Sequence, residues 1–329
     1  DFSVNVNPLG MREDAKKALY KAVDLGGIYP DIAAEELTHA VGKRLGIEGE
    51  RLVFGNGASE LFMAVVHAVK PKRTVIPIPS FFGYEYAAEA VDSEIVYVEL
   101  KETEVFLPGQ NLMDALTAQT DLLFLANPNN PTGKLLKKGY LREVLKHCRE
   151  SNICVVLDEC FIEFCGENVS FLSEAKEYPN LIIVRAFTKS YALPGVRLGY
   201  LIGSDVALLQ AIRKQLPEWN LSVFAQKAGV VCAEAKSYME KTVHYIESER
   251  NYMEEKLCEL GLTVFHGEAN FLLVYSEKPL YELLLSQGIL IRDCSNFKGL
   301  LKGYYRIAVK QREENERLWK AIGECVEKD

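Results

Sequence analysis

Three things that this 329-residue chain lacks exclude whole classes of protein. No apolar run reaches the roughly 18 residues that a membrane-spanning helix needs, and no signal peptide is visible. Basic residues number 38 against 46 acidic ones, so the net charge of −8 disfavours nucleic acid or an anionic membrane as the main partner. The five histidines are scattered and the eight cysteines include no C-x-x-C pair, so we expect no metal site.

The remaining composition is that of a globular protein with real cores. Hydrophobic residues make up 48% of the chain and charged residues 26%, and the length suffices for about two domains. Several cysteines lie inside apolar strand or helix patterns, which predicts buried free thiols in a reducing cytoplasm. The chain begins at Asp1 and not at methionine, so we expect natural residues upstream.

Short apolar runs alternate with helical patterns between about residues 50 and 205. This alternation predicts a mainly parallel sheet that is buried on both faces. The strand candidates are 51–54, 74–78, 95–99, 121–126, 153–158, 181–186 and 197–203, and the helical patterns include 60–69, 84–90 and 135–151.

The rest of the chain predicts a second, smaller α+β domain. A long, charged helical stretch covers about 205–260, and strand patterns follow at 262–265, 271–275, 290–292 and 304–309 before a terminal helix. We expect residues 1–30 to form an arm that packs on the small domain or on a partner subunit. The large domain should cover residues 31–215 and the small domain residues 216–329.

Lys189 follows the apolar strand pattern 181–186, so it lies at the C-terminal end of a strand, where open α/β sheets bind their ligands. Thr188 precedes the lysine, and Arg197 follows eight residues later. Pyridoxal 5′-phosphate needs an amine to bond its aldehyde, and a hydroxyl and a guanidinium to hold its phosphate. A lysine after a strand is by itself usually a solvated surface residue, so the interpretation depends on other motifs.

Two neighbouring strand ends carry polar side chains as well. Asn130 lies in the rigid loop N-P-N-N-P-T-G after the strand pattern 121–126, where its amide could bond a ring oxygen or simply belong to a turn. Asp158 and Glu159 end a strongly apolar strand, and such a carboxylate either caps the next element or serves a site. In an enzyme that uses pyridoxal phosphate, a carboxylate keeps the pyridine nitrogen protonated.

Weaker signals come from a glycine-rich turn and from one aromatic residue. Gly57, Ala58 and Ser59 precede a helical pattern, and the N–H groups of a helix N-terminus favour a phosphate, although these residues could equally be ordinary capping positions. Phe81 follows the strand pattern 74–78, where it could stack on a flat ring or belong to the core.

Arg292 and Arg306 lie beside apolar neighbours at strand ends of the small domain. An arginine in such a position is rarely buried without an anionic partner, and bidentate recognition of a carboxylate is its natural use. The alternative is an ion pair within the chain.

Together, these motifs resemble the fold-type-I pyridoxal-phosphate enzymes of the aspartate aminotransferase superfamily, class I/II branch. The resemblance covers essentially the whole chain, and Asp158 follows Asn130 by 28 residues and precedes Lys189 by 31. It implies a three-layer α/β fold with a mainly parallel central sheet and a smaller α+β C-terminal domain. It also implies pyridoxal 5′-phosphate as cofactor and a homodimer with composite active sites.

The resemblance also implies a role for each matching residue. Lys189 would bond the cofactor covalently, Asp158 would pair with its ring nitrogen, Asn130 would bond its ring hydroxyl, and Phe81 would stack on the ring. The residues expected at the cofactor phosphate are Gly57, Ala58, Ser59, Thr188, Arg197 and, across the subunit interface, Tyr29. Those expected at the substrate are Arg306, which would hold the α-carboxylate, Arg292 and Asn7.

Within the superfamily, the chain is most similar to the L-threonine-O-3-phosphate decarboxylases of cobalamin synthesis, with the histidinol-phosphate aminotransferases as siblings. The opening D-F-S-x-N-x-N-P-L-G and Phe161, where aminotransferases usually have tyrosine, favour the decarboxylases. Losing that phenol removes one hydrogen bond that tunes the cofactor. Ala186 stands where relatives often carry a serine that bonds the phosphate.

We therefore expect a decarboxylase that acts on a phosphorylated amino acid, with an aminotransferase as the alternative. A regulatory protein that binds the cofactor without catalysis is a third interpretation. Such a protein would lack the lysine or one of the arginines named above, and all of them are present in this sequence.

Overall fold

The computed structural model describes residues 1–327, apart from the side chains of Glu167 and Glu327. The strands are β1 Leu52–Gly55, β2 Arg73–Ile78, β3 Glu94–Glu99, β4 Leu122–Ala126, β5 Cys154–Asp158, β6 Leu181–Ala186, β7 Gly199–Gly203, β8 Thr263–Phe265, β9 Phe271–Tyr275, β10 Arg292–Asp293 and β11 Tyr304–Ala308. The α-helices are α1 Glu13–Val23, α2 Glu35–Leu45, α3 Ala58–Val69, α4 Gly83–Glu89, α5 Gln110–Ala115, α6 Lys138–Glu150, α7 Phe187–Ser190, α8 Val206–Arg213, α9 Val223–Ala233, α10 Lys236–Glu259, α11 Leu280–Ser286 and α12 Arg312–Glu327.

A large sheet of seven strands runs in the order β1-β7-β6-β5-β4-β2-β3 through the part of the chain described. The five strands from β6 to β3 are parallel, and β7 is antiparallel to both of its neighbours. Helices α3, α4 and α8 pack on one face, and α1, α2, α5, α6 and α9 lie in the core on the other. The prediction of a three-layer fold with a mainly parallel sheet is confirmed. No helix among residues 1–327 is both long and apolar enough to cross a bilayer.

A smaller antiparallel sheet runs in the order β10-β11-β9-β8. It shares a core with α10, α11 and α12, and Phe2 at the start of the chain is buried in the same core. The Phe2 backbone donates to the Leu290 carbonyl at 2.6 Å and accepts from the Ala308 N–H at 2.9 Å. The first residues of the chain therefore lie along the small sheet.

Most predicted strands begin or end one or two residues away from the observed ones, and two differences at boundaries have an identifiable physical reason. The strand expected at 197–203 begins only at Gly199, because Arg197 has a φ of 58°, which belongs to a turn and not to a strand.

Helix α9 follows residue 215 but buries its apolar side in the core of the large sheet, together with Met239 of α10. We therefore propose a domain boundary inside α10 in place of the expected one at 215.

Candidate active site

A cleft of about 480 Å³ lies between the C-terminal ends of the parallel strands and the small sheet. It brings together ten of the thirteen residues that the sequence predicted for the site. These are Ala58, Ser59, Phe81, Asn130, Asp158, Thr188, Lys189, Arg197, Arg292 and Arg306. Phe161 and Ala186 line the same cleft, whereas Gly57, Asn7 and Tyr29 do not.

Lys189 lies on α7, a single helical turn that directly follows the buried strand β6. The turn is fixed by Phe187 and Tyr191, which are buried with their ring centroids 5.0 Å apart. Burial lowers the pKa of the Lys189 amine, and the positive charges of Arg306 and Arg197 lower it further. A lysine with a lowered pKa is more often neutral, which is the form that attacks a carbonyl or accepts a proton.

Asn7 is hydrogen-bonded to the helical turn that carries Lys189 and does not line the cleft. Its backbone N–H donates to the Lys189 carbonyl at 3.0 Å. Its buried amide donates to the Ser190 carbonyl at 2.7 Å and to the Thr242 hydroxyl at 2.9 Å. These contacts use the donors that a substrate would need, so the structure does not support the expected contact between Asn7 and the substrate. The neighbours Ser3, Val4 and Asn5 line the cleft instead.

Arg292 and Arg306 occupy directly opposite positions on β10 and β11. Arg306 donates to the Asn130 side-chain oxygen at 2.5 Å and to the Ser3 carbonyl at 2.9 Å, and no hydrogen-bond partner of its Nε lies among residues 1–327. Burial lowers the pKa of the Arg306 guanidinium to about 10, and the positive charge of Arg292 adds to that effect. The Arg292 guanidinium donates to the Asn296 side-chain oxygen at 2.9 Å.

Neither arginine forms an ion pair with a carboxylate among residues 1–327. The alternative of an ion pair within the chain is therefore wrong for the part described. Like charges on directly opposite strand positions destabilise a sheet. An anionic ligand in the cleft would remove that penalty, so this pair fits an anion site.

The first turn of α3 and Arg197 form a second cationic corner of the cleft. No side chain in the described part of the chain caps the N-terminus of α3, so its first N–H groups stay available. Gly57 precedes the helix with a φ of 83°, and a Cβ there would lie 2.7 Å from the Arg197 guanidinium. Gly57 is thus needed for the close approach of Arg197, although it does not itself line the cleft. Uncapped N–H groups beside a guanidinium fit a phosphate group.

Asp158 ends β5 and is held by two donors. Its Oδ2 accepts from the Tyr84 hydroxyl at 2.6 Å, and its Oδ1 accepts from the Cys160 N–H at 2.9 Å. Burial raises the pKa of the Asp158 carboxyl group, and the hydrogen bonds from Cys160 and Tyr84 oppose that rise. The bond to Cys160 caps the following turn, and Asp158 also lines the cleft, so a role in a site stays a prediction beside the observed cap. Tyr84 was not predicted, although it follows Phe81 by three residues at a helix start.

Glu159, the neighbour of Asp158, does not face the cleft. Its fully buried carboxylate forms an ion pair with Arg185 of β6, with an N–O distance of 2.8 Å. Glu163 accepts from the Tyr191 hydroxyl at 3.1 Å and pairs with Arg44. The segment that carries Asp158 is therefore tied to the chain both before and after Lys189.

Aromatic rings form the walls of the cleft near Asp158 and Asn130. The Phe81 ring meets the Tyr84 ring edge-on, with centroids 5.7 Å apart. Phe161 packs edge-on against Phe271 at 5.3 Å and leaves no phenol at this position. Apolar walls of this kind exclude water from the cleft and strengthen the electrostatic interactions inside it.

Tyr29 lies outside the cleft, with 81% of its surface exposed. Its ring contacts Trp219 at a centroid distance of 5.2 Å. Within one subunit it therefore reaches none of the other predicted site residues.

Comparison with known proteins identifies the family. The model of the aminotransferase class I and II family matches residues 1–322. A threonine-phosphate decarboxylase of Salmonella typhimurium is 37% identical over 98% of this chain and 90% of its own. The adenosylcobalamin biosynthesis bifunctional protein CobDQ of Leptospira interrogans is 36% identical over 97% of this chain and 38% of its own.

Solved structures show the same fold over the full length. The histidinol-phosphate aminotransferase from Clostridium acetobutylicum has a TM-score of 0.93 at 32% identity and covers 99% of this chain and 98% of its own. The L-threonine-O-3-phosphate decarboxylase from Porphyromonas gingivalis has a TM-score of 0.86 at 25% identity and covers 99% of both chains. The chain belongs to the aminotransferase class I and II family.

Proposed function

We propose that this protein is a decarboxylase that uses pyridoxal 5′-phosphate and acts on L-threonine O-3-phosphate in cobalamin biosynthesis. The observation that carries the substrate class, a phosphorylated amino acid, is the pair of opposed arginines, Arg292 and Arg306, which have no carboxylate partner among residues 1–327 and line the cleft that holds Lys189. A phosphorylated amino acid presents two anionic groups, a phosphate and an α-carboxylate. The decarboxylase of Salmonella typhimurium and the cobalamin biosynthesis protein of Leptospira interrogans support the choice of substrate and pathway.

The residues of the cleft fit the cofactor of this family, pyridoxal 5′-phosphate. Lys189 would hold it covalently, and the uncapped turn of α3 with Thr188 and Arg197 would hold its phosphate. Asp158, Asn130 and Phe81 would contact its ring. When bound, the cofactor supplies an electron-withdrawing ring that stabilises negative charge at the substrate Cα.

The protein's own groups then bind the substrate and move its protons. Arg306 presents a planar guanidinium that suits bidentate binding of the α-carboxylate, and Arg292 is placed to bind the substrate phosphate. Anion binding to both would remove the repulsion between them. Lys189, with its lowered pKa, is suited to deliver a proton to Cα and take one back near neutral pH.

Histidinol-phosphate aminotransferase is the second candidate, favoured by the TM-score of 0.93 with the Clostridium acetobutylicum enzyme. The arginine pair alone does not separate the two functions, because an aminotransferase must also bind the carboxylates of its 2-oxo acid partner. The reactions differ in which bond of Cα is held perpendicular to the cofactor ring: the bond to the carboxylate for decarboxylation and the bond to hydrogen for transamination.

Product analysis separates the candidates. The purified, cofactor-saturated protein is incubated with L-threonine O-3-phosphate, with and without 2-oxoglutarate, and carbon dioxide and 1-amino-2-propanol phosphate are measured. We expect both products without the 2-oxo acid, and poor turnover of unphosphorylated threonine, because the half-buried Arg292 would then lose the anionic group that it is proposed to bind. Lys189→Ala is the control.

Two outcomes would overturn the proposal. Conversion of histidinol phosphate only in the presence of 2-oxoglutarate, without carbon dioxide release, would favour the aminotransferase. Absence of turnover with either substrate, in protein that binds the cofactor, would favour a regulatory role.

We also propose that the protein is a cytoplasmic homodimer whose active sites are composite. Large apolar side chains are exposed on the segment that carries Tyr29, namely Tyr20, Val23, Ile28 and Ile32, and on Trp219, which contacts the Tyr29 ring. Exposed apolar side chains of this kind are typical of a protein interface, and Tyr29 would reach the cofactor phosphate of the partner subunit from there. The eight free cysteines support a reducing compartment.

A further inference from the structure

The buried hydroxyl of Tyr84 has no role in the function proposed so far. The tyrosine is 1% exposed, and its hydroxyl makes one hydrogen bond within residues 1–327, to Oδ2 of Asp158 at 2.6 Å. A hydroxyl at this distance from a carboxylate makes a charge-assisted hydrogen bond, which is stronger than a neutral one.

Three aromatic rings fix the direction in which this hydroxyl points. Phe124 stacks on the Tyr84 ring at 5.0 Å with an interplanar angle of 9°, and Phe62 and Phe81 meet it edge-on. Phe81 also lines the cleft. Since the ring is packed on its face and its edges, the phenol cannot follow Asp158 if the carboxylate turns, so it acts as a fixed donor.

Asp158 depends on that donor because it is buried at the end of β5. Its second oxygen is satisfied by the Cys160 N–H, which belongs to the same chain segment and moves with it. Tyr84 belongs to α4, a separate element, and is therefore the one side-chain hydroxyl within residues 1–327 that ties this carboxylate to another part of the large domain.

We infer that Tyr84 is a positioning residue, whose hydroxyl keeps the Asp158 carboxylate ionised and in one orientation for pairing with the cofactor's ring nitrogen. The inference rests on the proposed contact between Asp158 and the cofactor and on neither candidate substrate. It gives the start of α4 a function: Phe81, two residues before the helix, would face the cofactor ring, and Tyr84 in the first turn bonds the carboxylate that pairs with the ring.

The test uses Tyr84→Phe, which removes the hydroxyl and keeps the ring. Wild type and variant are loaded with ¹⁵N-labelled pyridoxal phosphate, and the chemical shift of the ring nitrogen is measured at fixed pH. Without the Tyr84 donor the Asp158 carboxylate becomes more basic, and it takes a larger share of the proton that it shares with the ring nitrogen of the cofactor. We expect the ¹⁵N shift to move toward that of an unprotonated pyridine.

The pH profile of turnover gives a second readout. Losing the hydrogen bond from Tyr84 should raise the pKa of the Asp158 carboxyl group. The acidic limb of the pH profile of kcat should therefore shift to higher pH by about one to two units. Tyr140→Phe is the matched control, because the Tyr140 hydroxyl also donates a single hydrogen bond, to the Gly109 carbonyl, and lies outside the cleft. It should leave the ¹⁵N shift and the acidic limb at their wild-type values.

Two further variants keep the inference open to refutation if Tyr84→Phe loses its cofactor. Substituting 3-fluorotyrosine for Tyr84 keeps the packing and makes the hydroxyl a better donor, so the ¹⁵N shift should move in the opposite direction. In an Asp158→Asn background, Tyr84→Phe should cause no additional change.

The inference fails if the cofactor binds and neither Tyr84 substitution moves the ¹⁵N shift, or if Tyr84→Phe has its full effect without the Asp158 carboxylate. Failure of the cofactor to bind to the wild-type protein would instead refute the proposed function.

Discussion

Removing one partner of the buried ion pair between Glu159 and Arg185 should cost far more stability than removing one partner of an exposed pair of this protein. Oε2 of Glu159 accepts from Arg185 at 2.8 Å and from the Ser170 hydroxyl at 2.8 Å, and Oε1 accepts from the Phe171 N–H at 2.9 Å. Both oxygens of the carboxylate thus accept from buried donors. Glu159→Gln replaces one of these acceptors by an NH₂ group that meets another donor, and it leaves the Arg185 guanidinium buried without a countercharge.

Breaking one partner of a buried pair costs about 3–5 kcal/mol. Glu174→Gln is the matched control, because Glu174 pairs with Arg142, whose side chain is 53% exposed. An exposed pair contributes at most about 1 kcal/mol. The free energies of unfolding are compared by urea denaturation at one protein and cofactor concentration, since both concentrations shift the midpoint.

A double variant separates the loss of a countercharge from a general packing defect. Glu159→Leu combined with Arg185→Met removes both charges and should recover part of the stability that Glu159→Gln loses, although the Phe171 N–H then has no acceptor. The reasoning is refuted if Glu159→Gln costs no more than Glu174→Gln, or if the double variant is less stable than the single one.

Three further predictions concern the site itself. Borohydride reduction of the cofactor-loaded protein should attach the cofactor to Lys189, and a label on any other lysine would contradict the assignment. Asp158→Asn should keep the cofactor but lower kcat by about 10²–10³, because losing an electrostatic contact of this kind costs about 2.7–4 kcal/mol. Near-normal turnover would mean that the carboxylate only caps the following turn. Because burial raises the pKa of Asp158, the cofactor-free wild type should lose stability as pH rises from the ordinary carboxyl range through that raised pKa. Cofactor-free Asp158→Asn should lack this loss of stability, and at neutral pH it should be more stable than the cofactor-free wild type. Thermal unfolding of both proteins at several pH values tests this. Mixing inactive Tyr29→Phe and Lys189→Ala subunits should restore partial activity in hybrid dimers, whereas a fully active monomer would exclude a composite site.

The sequence predicts most of the fold because parallel strands buried on both faces are recognisable as continuous apolar runs. Strand β6 was predicted with its observed bounds, and the polar residues that follow β4, β5 and β6 meet in one cleft because parallel strands end at the same edge. Local patterns fail where tertiary contacts decide the conformation. Arg197 looks like the first residue of a strand but adopts a turn conformation, in which its guanidinium lies beside Gly57.

Residues that act through another side chain are harder to predict than residues that line the cleft. Tyr84 looks like one of many helical core tyrosines, and its hydrogen bond to Asp158 spans 74 positions in the sequence. Asn7 was predicted to be near the site, and it is, but it holds the backbone of the Lys189 turn and does not face the cleft. A motif therefore indicates that a residue is near the site but does not determine which of its atoms face the ligand.

The same limit applies to the arginines on which the proposed function depends. The sequence shows that Arg292 and Arg306 lie near strand ends, and an ion pair within the chain remained possible at that level. Among the residues described, neither arginine has a carboxylate partner, and the register of β10 against β11 places the two residues directly opposite each other. That register depends on the length and shape of the connection between the two strands, which a local pattern does not specify. Two like charges held together at the edge of a cleft lower the stability of the ligand-free protein, and binding an anion reverses that cost. The strand register places Arg292 and Arg306 opposite each other, and for this reason we expect an anion site at this position.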